Sequence, residues 1–253
     1  DLGCLETEEG SQAPDLRDVL PMGAIVAAAG LKHWIAENAK TTRAFLKRVG
    51  EITPLAAPIQ EQQIQVLPRP PKGGPKRPGG APNSDEARQI AELLAPALTG
   101  HDVGLISEAG LPGVADPGAA VVLAAHKAGV SVLPLSGPSS LVLALAASGL
   151  HGQSFAFVGY LPVDSQERSQ RIKELEQLSR KAHQTQLVIE TPYRNPALWQ
   201  ALVQHLQGHT LLSVSVGLTL SQGWSRTDTV ERWRKQPLTL PDDIPAVFSW
   251  LAA

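Results

Sequence analysis

Apolar and polar positions in the middle of the chain predict a regular alternation of helices and buried strands. Residues 84–100, SDEARQIAELLAPALTG, place apolar side chains at helical spacing between a serine cap and a terminal glycine. The apolar run DVGLIS then predicts a buried strand, and VSVLPL predicts a second one. Between them, ADPGAAVVLAAHKAG predicts a helix with Asp116 as its cap and Pro117 at its first position. SGPSSLVLALAASG predicts an apolar helix that follows the second strand. This alternation is typical of a parallel sheet that is buried on both faces.

The segments on either side of this region extend the pattern. Upstream, LKHWIAE predicts a short strand, and residues 38–50 predict a helix that begins at an asparagine or threonine cap and ends at a glycine. After about residue 150, SFAFVGYL, QTQLVIET, TLLSVSVGLTL and IPAVFSW predict strands, with a charged helix and an asparagine-capped helix among them. We therefore expect an α/β protein with a boundary near residues 149–152. The N-terminal α/β domain, residues 1–150, has a mostly parallel sheet, and the C-terminal α/β domain, residues 151–253, has a mixed one.

Residues 67–82, LPRPPKGGPKRPGGAP, interrupt the N-terminal domain with a different composition. They contain six prolines, four glycines and four basic residues, and no acidic residue. A segment of this composition cannot form a packed core, so we predict a flexible loop. The loop is either an inert solvated connection or a basic arm that contacts phosphates.

Composition excludes several classes of protein. The chain has 253 residues, 43% of them hydrophobic and 18% charged, and no apolar run approaches the length of about 18 residues that spans a bilayer. The single cysteine, Cys4, excludes an internal disulfide and a cysteine-rich zinc site, which favours a reducing cytoplasm. A net charge of −2 gives no overall attraction to nucleic acid, so any RNA contact depends on local basic patches.

Three turns that follow predicted strands are rich in small residues and proline. They are Ser107–Pro112, Ser136–Ser140 and Glu190–Arg194. Ligands of parallel sheets bind beyond the carboxyl ends of the strands, so we expect these turns to share one edge or to face each other across a cleft. Gly110 and Gly137 allow a ligand to approach the backbone closely. Such turns offer backbone donors and acceptors to a flat heterocycle and its ribose.

Several well-known catalytic motifs are absent from the sequence. There is no G-x-G-x-x-G between a strand and a helix, no phosphate-binding G-x-x-x-x-G-K-[ST], no H-E-x-x-H and no G-x-S-x-G. No histidine cluster predicts a metal site. The enzyme class that remains is a transfer whose reactive group belongs to a bound cofactor, with the protein supplying binding and alignment.

Individual polar residues at the turns allow two interpretations. For Asp116 the sequence favours a helix cap over a functional role. Glu108 and Glu190 each follow a buried strand directly, and they fit a structural or a functional role equally well. Tyr193 and Arg194 are either ordinary surface residues or contacts for a phosphate or carboxylate.

Taken together, these segments resemble the tetrapyrrole methylase family, in its ribosomal RNA small subunit methyltransferase I branch. SEAGLPGVADPG resembles the branch signature S-D-A-G-T-P-x-I-S-D-P-G, and PLSGPSSLVLALAASGL resembles P-L-P-G-P-S-A. FVGYLP resembles F-x-G-F-L-P, and IETPYR resembles Y-E-S-P-H-R. These four matches occur in order between residues 105 and 194, and AENAKTTRAFLKRVG upstream is similar to A-E-D-T-R-x-T-R-x-L-L. Leu111 and Tyr193 depart from the signatures, where the branch has threonine and histidine.

The resemblance implies two α/β domains with S-adenosylmethionine in the cleft between them, and usually a homodimer. In the named branch the reaction is 2′-O-methylation of a cytidine in small-subunit ribosomal RNA. The implied cofactor contacts are Glu108, Ala109, Gly110, Leu111, Pro112, Gly137, Pro138, Ser139, Ser140, Glu190 and Thr191. The expected substrate contacts are Arg43, Tyr193 and Arg194.

A ribose hydroxyl is a poor nucleophile that benefits from a general base, and Glu108 and Glu190 are the candidate bases. An RNA substrate also agrees with a set of basic residues: Arg43, Lys47, Arg48, Lys72, Lys76 and Arg77. Two alternatives remain open. The chain is either a methyltransferase of a tetrapyrrole-like or other small molecule, or a cofactor-binding module that has lost catalysis.

Overall fold

The chain divides into two compact units, Asp1–Pro138 and Ser139–Ala253. A computed structural model describes residues 15–68 and 84–253, so most of the basic loop predicted at 67–82 lies outside the described residues. The division comes before the apolar helix at Ser140–Ser148 (α6), earlier than the boundary expected near residues 149–152. The reason is that α6 packs its leucines against Leu187 and Val247 of the second unit's sheet.

The first unit follows the predicted order of helices and strands over much of its length. Its elements are α1 (Met22–Gly30), β1 (His33–Ala36), α2 (Ala39–Ile52), β2 (Gln63–Val66), α3 (Ser84–Leu93), α4 (Ala95–Leu98), β3 (Val103–Ile106) and α5 (Ala119–Lys127). Among the described residues the strands form a sheet in the order β2-β1-β3, and both pairs are parallel, as predicted. Ala36 lies opposite Val66 and Ile106, so the three strands end at the same edge.

The sequence around β1 and α2 explains how these two elements are joined. The Asn38 side chain accepts the backbone N–H of Lys40 at 2.9 Å and caps α2. On its inner face, α2 buries Phe45 and other apolar residues in the cluster that contains Trp34 of β1. Gly104 in β3 leaves room for the Trp34 ring, because a Cβ there would lie 2.6 Å from two ring atoms. These contacts hold the start of α2 beside the carboxyl ends of β1 and β3.

Two predictions for the first unit are wrong. Residues 130–135, VSVLPL, form no strand, and Leu133 is 79% exposed. An apolar run becomes a strand only when a neighbour completes its ladder, and Pro134 in addition lacks a donor. Asp116 does not cap α5, which begins after Gly118. Gly118 has φ +129°, and a Cβ at this position would lie 3.1 Å from Leu105, so the turn continues to residue 118 before the helix starts.

The second unit has the mixed sheet that the sequence predicts. Its elements after α6 are β4 (Phe155–Phe157), α7 (Ser165–Ala182), β5 (Thr185–Ile189), α8 (Asn195–His205), β6 (Leu211–Val216), β7 (Trp224–Thr229), α9 (Val230–Lys235) and β8 (Ala246–Leu251). The strand order is β4-β5-β8-β6-β7, in which β4 and β5 are parallel and the other neighbours are antiparallel. Between the strands predicted at TLLSVSVGLTL and IPAVFSW, the structure adds β7 and α9, which the sequence pattern did not predict. The α/β fold class is confirmed.

Large aromatic side chains fill the core of the second unit. Trp199 of α8 and Trp233 of α9 meet edge to face with ring centroids 4.9 Å apart, and Phe248 of β8 packs beside them. Trp233 donates its indole N–H to the Leu212 carbonyl, so its one polar group is satisfied. This core fixes α8 against the sheet and thereby fixes the turn between β5 and α8. Within the described part of the chain, no helix is both long and apolar enough to cross a bilayer.

Candidate functional site

Two of the three predicted turns lie side by side in the first unit. The turn after β3 contains Gly110 at φ +68°, in the left-handed region that favours glycine. The buried Ser107 hydroxyl donates to the Ala109 carbonyl at 3.2 Å and closes the start of this turn. A Cβ on Gly110 would lie 4.0 Å from the Pro138 carbonyl oxygen, and a Cβ on Gly137 would lie 3.4 Å from Leu111. The structure therefore brings residues 107–112 next to residues 137–138.

Glu108 is held at both its backbone and its side chain. Its backbone N–H donates to the Glu37 carboxylate at 3.1 Å, just beyond the end of β1. Its own carboxylate accepts the Thr41 hydroxyl at 2.6 Å, from the first turn of α2. Glu37, Thr41 and Glu108 thus join the ends of β1 and β3 to the start of α2.

Asp116 adds a third carboxyl group to this region. Burial is the main cause that raises the pKa of Asp116 from 3.8 to about 6, and the negative charges of Glu37 and Glu108 raise it further. Among the described residues, no three histidine, cysteine or acidic side chains are arranged to hold a metal ion. This end of the first sheet is therefore acidic, and its negative charges together with burial hold the pKa of Asp116 above its usual range.

A basic face of α2 begins beside these acidic residues. Lys40, Arg43 and Lys47 are exposed and recur at spacings of three and four residues, which puts them on one side of the helix. The opposite side carries the buried Phe45 and Val49. Arg43, which was predicted as a substrate contact, is therefore one of three cations that form a stripe along the helix. We call this stripe the α2 basic face.

The third predicted turn follows β5 in the second unit and is held together by a salt bridge. The Glu190 carboxylate accepts the backbone N–H of Thr191 at 2.7 Å and lies 2.8 Å from the Arg194 guanidinium. Its side chain is 5% exposed and that of Arg194 is 30% exposed. Arg194 also donates to the Thr191 hydroxyl, and its guanidinium lies 5.5 Å from the ring of Tyr193, which is 69% exposed. The turn thus exposes the Tyr193 ring and part of the Arg194 guanidinium, and the buried Glu190 carboxylate holds that guanidinium in place.

The remaining predicted residues lie near these turns. Ala109 and Pro112 belong to the turn after β3, and Ser139 and Ser140 begin α6 in the second unit. Sequence reasoning missed Glu37 and Thr41. In the structure Glu37 directly follows β1, whereas the sequence pattern had placed it inside the predicted strand LKHWIAE. The signal that selected Glu108 and Glu190 therefore did not select it.

Comparisons with known proteins agree on one family. The family described as Tetrapyrrole (Corrin/Porphyrin) Methylases matches residues 34–222. The ribosomal RNA small subunit methyltransferase I of Vibrio cholerae is 35% identical over 135 residues, which are 53% of this chain and 46% of that relative. The protein of the same name from Synechocystis is 36% identical over 128 residues, covering 51% of this chain and 44% of the relative.

The proteins of this name that match the chain cover it only in part. The one from Halalkalibacterium halodurans is 36% identical over 102 residues, 40% of this chain and 34% of its own. The matched segments thus span less than half of each of these three relatives. Among solved structures, the methyltransferase CobJ aligns with a TM-score of 0.53 at 14% identity, over 91% of this chain and 86% of that one. At this identity the likeness concerns the fold.

Proposed function

The chain belongs to the tetrapyrrole methylase family, and from this premise we propose that it is an S-adenosylmethionine-dependent methyltransferase that acts on small-subunit ribosomal RNA. One observation carries the proposal: the two glycine turns of the first unit lie side by side at the carboxyl edge of a parallel sheet, within the matched segment. The names of the curated relatives support the RNA substrate.

The turn after β3 and residues 137–138 are the proposed cofactor contacts. Gly110 supports this, because a Cβ at this position would meet only the Pro138 carbonyl oxygen, at 4.0 Å, so the backbone of the turn is not crowded there. Backbone N–H and C=O groups beside such a position suit a nucleoside, which needs hydrogen bonds more than charge. Bound there, S-adenosylmethionine would supply a methyl group on a sulfonium. The protein then contributes alignment, which is worth about 7–11 kcal/mol for well-oriented reactants.

Glu108 is the better placed of the two candidate bases. Its carboxylate holds the Thr41 hydroxyl and belongs to the turn proposed for the cofactor. Glu190, in contrast, uses one carboxylate oxygen for the Thr191 N–H and for Arg194. We assign Glu190 to holding Arg194, and we assign Tyr193 and Arg194 to the substrate, where a ring can stack on a base and a guanidinium can pair with a phosphate.

The α2 basic face supports RNA as the substrate class. Its three cations point outward from a helix whose first turn contacts Glu108, so phosphates along this face would bring a ribose toward that carboxylate. We extend the proposal to ribose 2′-O as the methyl acceptor, to a homodimer and to a cytoplasmic location. Sedimentation equilibrium tests the homodimer, and fractionation of cells tests the location.

A parallel assay of two substrate pools tests the function. The protein is incubated with S-adenosylmethionine labelled in the methyl group, together with either small-subunit ribosomal RNA or a small-molecule extract. Label in a 2′-O-methyl nucleoside is the expected result. Label in a small molecule would replace RNA with a metabolite as the substrate. If calorimetry shows cofactor binding but no methyl group is transferred to either pool, the protein is a cofactor-binding module that has lost catalysis. No binding of the cofactor at all would overturn the proposal.

A further inference from the structure

We propose that Glu37 is a positioning residue that fixes the turn after β3 in the conformation that receives the cofactor. Glu37 lies in the segment that is similar to A-E-D-T-R-x-T-R-x-L-L, but neither that similarity nor the comparisons assign it a role. The inference rests on the proposed function in one respect, since it takes the 107–112 turn as the cofactor contact. Its structural part concerns a single hydrogen bond, from the backbone N–H of Glu108 to the Glu37 carboxylate.

The strand register explains why a side chain is needed at this point. β1 and β3 are paired through Ala36 and Ile106, the last residues of each strand. Beyond that pair the chain of Glu37 turns toward α2, so the backbone ladder has no further acceptor for the N–H of Glu108. The Glu37 carboxylate accepts that N–H at 3.1 Å and continues the pairing by one step. A half-buried donor left without an acceptor is unfavourable, so this bond determines where the turn begins.

A second bond fixes the same residue from another direction. The Thr41 hydroxyl oxygen lies 2.6 Å from a Glu108 carboxylate oxygen and 3.0 Å from the Asn38 carbonyl oxygen, within hydrogen-bond distance of both acceptors. Glu108 is therefore held by its backbone from β1 and by its side chain from α2. Gly110 follows two residues later with its left-handed backbone, so a shift of Glu108 moves the part of the turn that lies beside Pro138.

The choice of an acid at position 37 has an electrostatic cost. The negative charges of Glu37 and Glu108 both raise the pKa of Asp116. No ion pair found among the described residues includes any of these three carboxyl groups. A glutamine would accept the same N–H without this repulsion. Substitutions at this position therefore separate the negative charge from the hydrogen-bond acceptor. Glu37→Gln removes the charge and keeps an acceptor, whereas Glu37→Ala removes both.

The experiment measures cofactor affinity and amide exchange on the same variants. Calorimetry gives the Kd for S-adenosylmethionine, and NMR hydrogen exchange gives the opening of the Glu108 N–H. In Glu37→Ala we expect the Kd to rise about tenfold, equal to about 1.4 kcal/mol, and the exchange of this amide to accelerate at least as much. Glu37→Gln should stay within about threefold of the wild type in both. Glu51→Ala, at the other end of α2, is the control for loss of one negative charge and should change neither.

The outcomes separate this inference from the proposed function. Wild-type protein that does not bind the cofactor overturns the proposed function, and the exchange of the Glu108 amide then decides the structural part alone. Unchanged exchange in Glu37→Ala overturns the positioning role whatever the affinity, as does faster exchange with an unchanged Kd. If Glu37→Ala does not fold, Glu37→Asp replaces it. Its shorter side chain keeps the charge but withdraws the acceptor, so the same tenfold rise is expected, and wild-type affinity would refute the inference.

Discussion

The Glu190 carboxylate and the Arg194 guanidinium lie 2.8 Å apart on either side of a single turn, and the acid is almost completely buried. Glu190 directly follows β5 and Arg194 directly precedes α8, so the ion pair links a core strand to a core helix. A buried carboxylate needs both its cation and its backbone donor, and Arg194 and Thr191 supply them.

Removal of the cation should therefore destabilise the second unit. We expect Arg194→Ala to lower the free energy of unfolding by about 1–3 kcal/mol, since it leaves a buried carboxylate without its charged partner. Glu190→Gln in the same background should restore part of the loss, because the unpaired charge is gone. Urea unfolding followed by tryptophan fluorescence measures both. The control is Arg171→Ala, which breaks an exposed ion pair with Glu174 and should cost less than about 1 kcal/mol. Equal losses at the two sites would contradict the argument.

A substitution at Gly110 should affect both stability and cofactor binding. Gly110→Ala forces a side chain into a backbone of φ +68° and should cost about 1–2 kcal/mol. It also places a methyl group where we propose that the cofactor approaches, so the Kd for S-adenosylmethionine should rise more than tenfold. Gly129→Ala is the matched control, because Gly129 has φ +72° with open space around it but lies outside the turns. It should show the same loss of stability and an unchanged Kd. A normal Kd in Gly110→Ala would remove this turn from the cofactor site.

The elements that sequence reasoning predicted well are those determined by neighbours in the chain. The cap at Asn38, the amphipathic spacing of α2 and the turn at Gly110 are local patterns, and all are present. The segment VSVLPL was predicted wrongly because a strand depends on a partner far away in the chain, which no local pattern reveals. ADPG has the composition of a helix cap, yet packing of Gly118 against Leu105 moved the helix start to residue 119.

The candidate site divides in the same way. Glu108 and Gly137 were selected because small or acidic residues after a strand are visible in the sequence. The bond between Glu37 and the Glu108 N–H joins residues 71 positions apart, and it depends on β1 and β3 being neighbours in register. Sheet order is a property of the whole unit, so the sequence placed Glu37 at the end of a predicted strand but did not identify its partner.

The raised pKa of Asp116 predicts a specific dependence of stability on pH. The folded state holds the proton to a pH near 6, whereas an unfolded aspartate loses it near 3.8. Between these values the folded state binds more protons, so this residue's contribution to stability is favourable below about pH 4 and declines as the pH rises toward 6. Asp116→Asn should therefore be more stable than wild type at pH 7.5, by about 1 kcal/mol after allowance for solvent screening, and no more stable at pH 4. Urea unfolding at both pH values measures the difference. A constant difference would show that the two states share one pKa.

The α2 basic face should be recognisable from the salt dependence of RNA binding. Each cation that neutralises a phosphate releases a counterion, so the logarithm of the binding constant falls by about 0.7–0.9 per contact for each unit of log salt concentration. In the double variant Arg43→Ala, Lys47→Ala we expect weaker binding of small-subunit ribosomal RNA and a slope reduced by about 1.4–1.8, measured by filter binding from 50 to 200 mM salt. The Kd for S-adenosylmethionine should stay unchanged, because neither side chain belongs to the turns.

The control removes the same charge from α7, in Lys173→Ala, Lys181→Ala, two exposed positions of the second unit. If the control lowers the slope as much as the α2 variant does, the attraction is general and the α2 basic face is not the contact. If only the α2 variant lowers it, phosphates bind along this helix, whose first turn contacts Glu108 through Thr41.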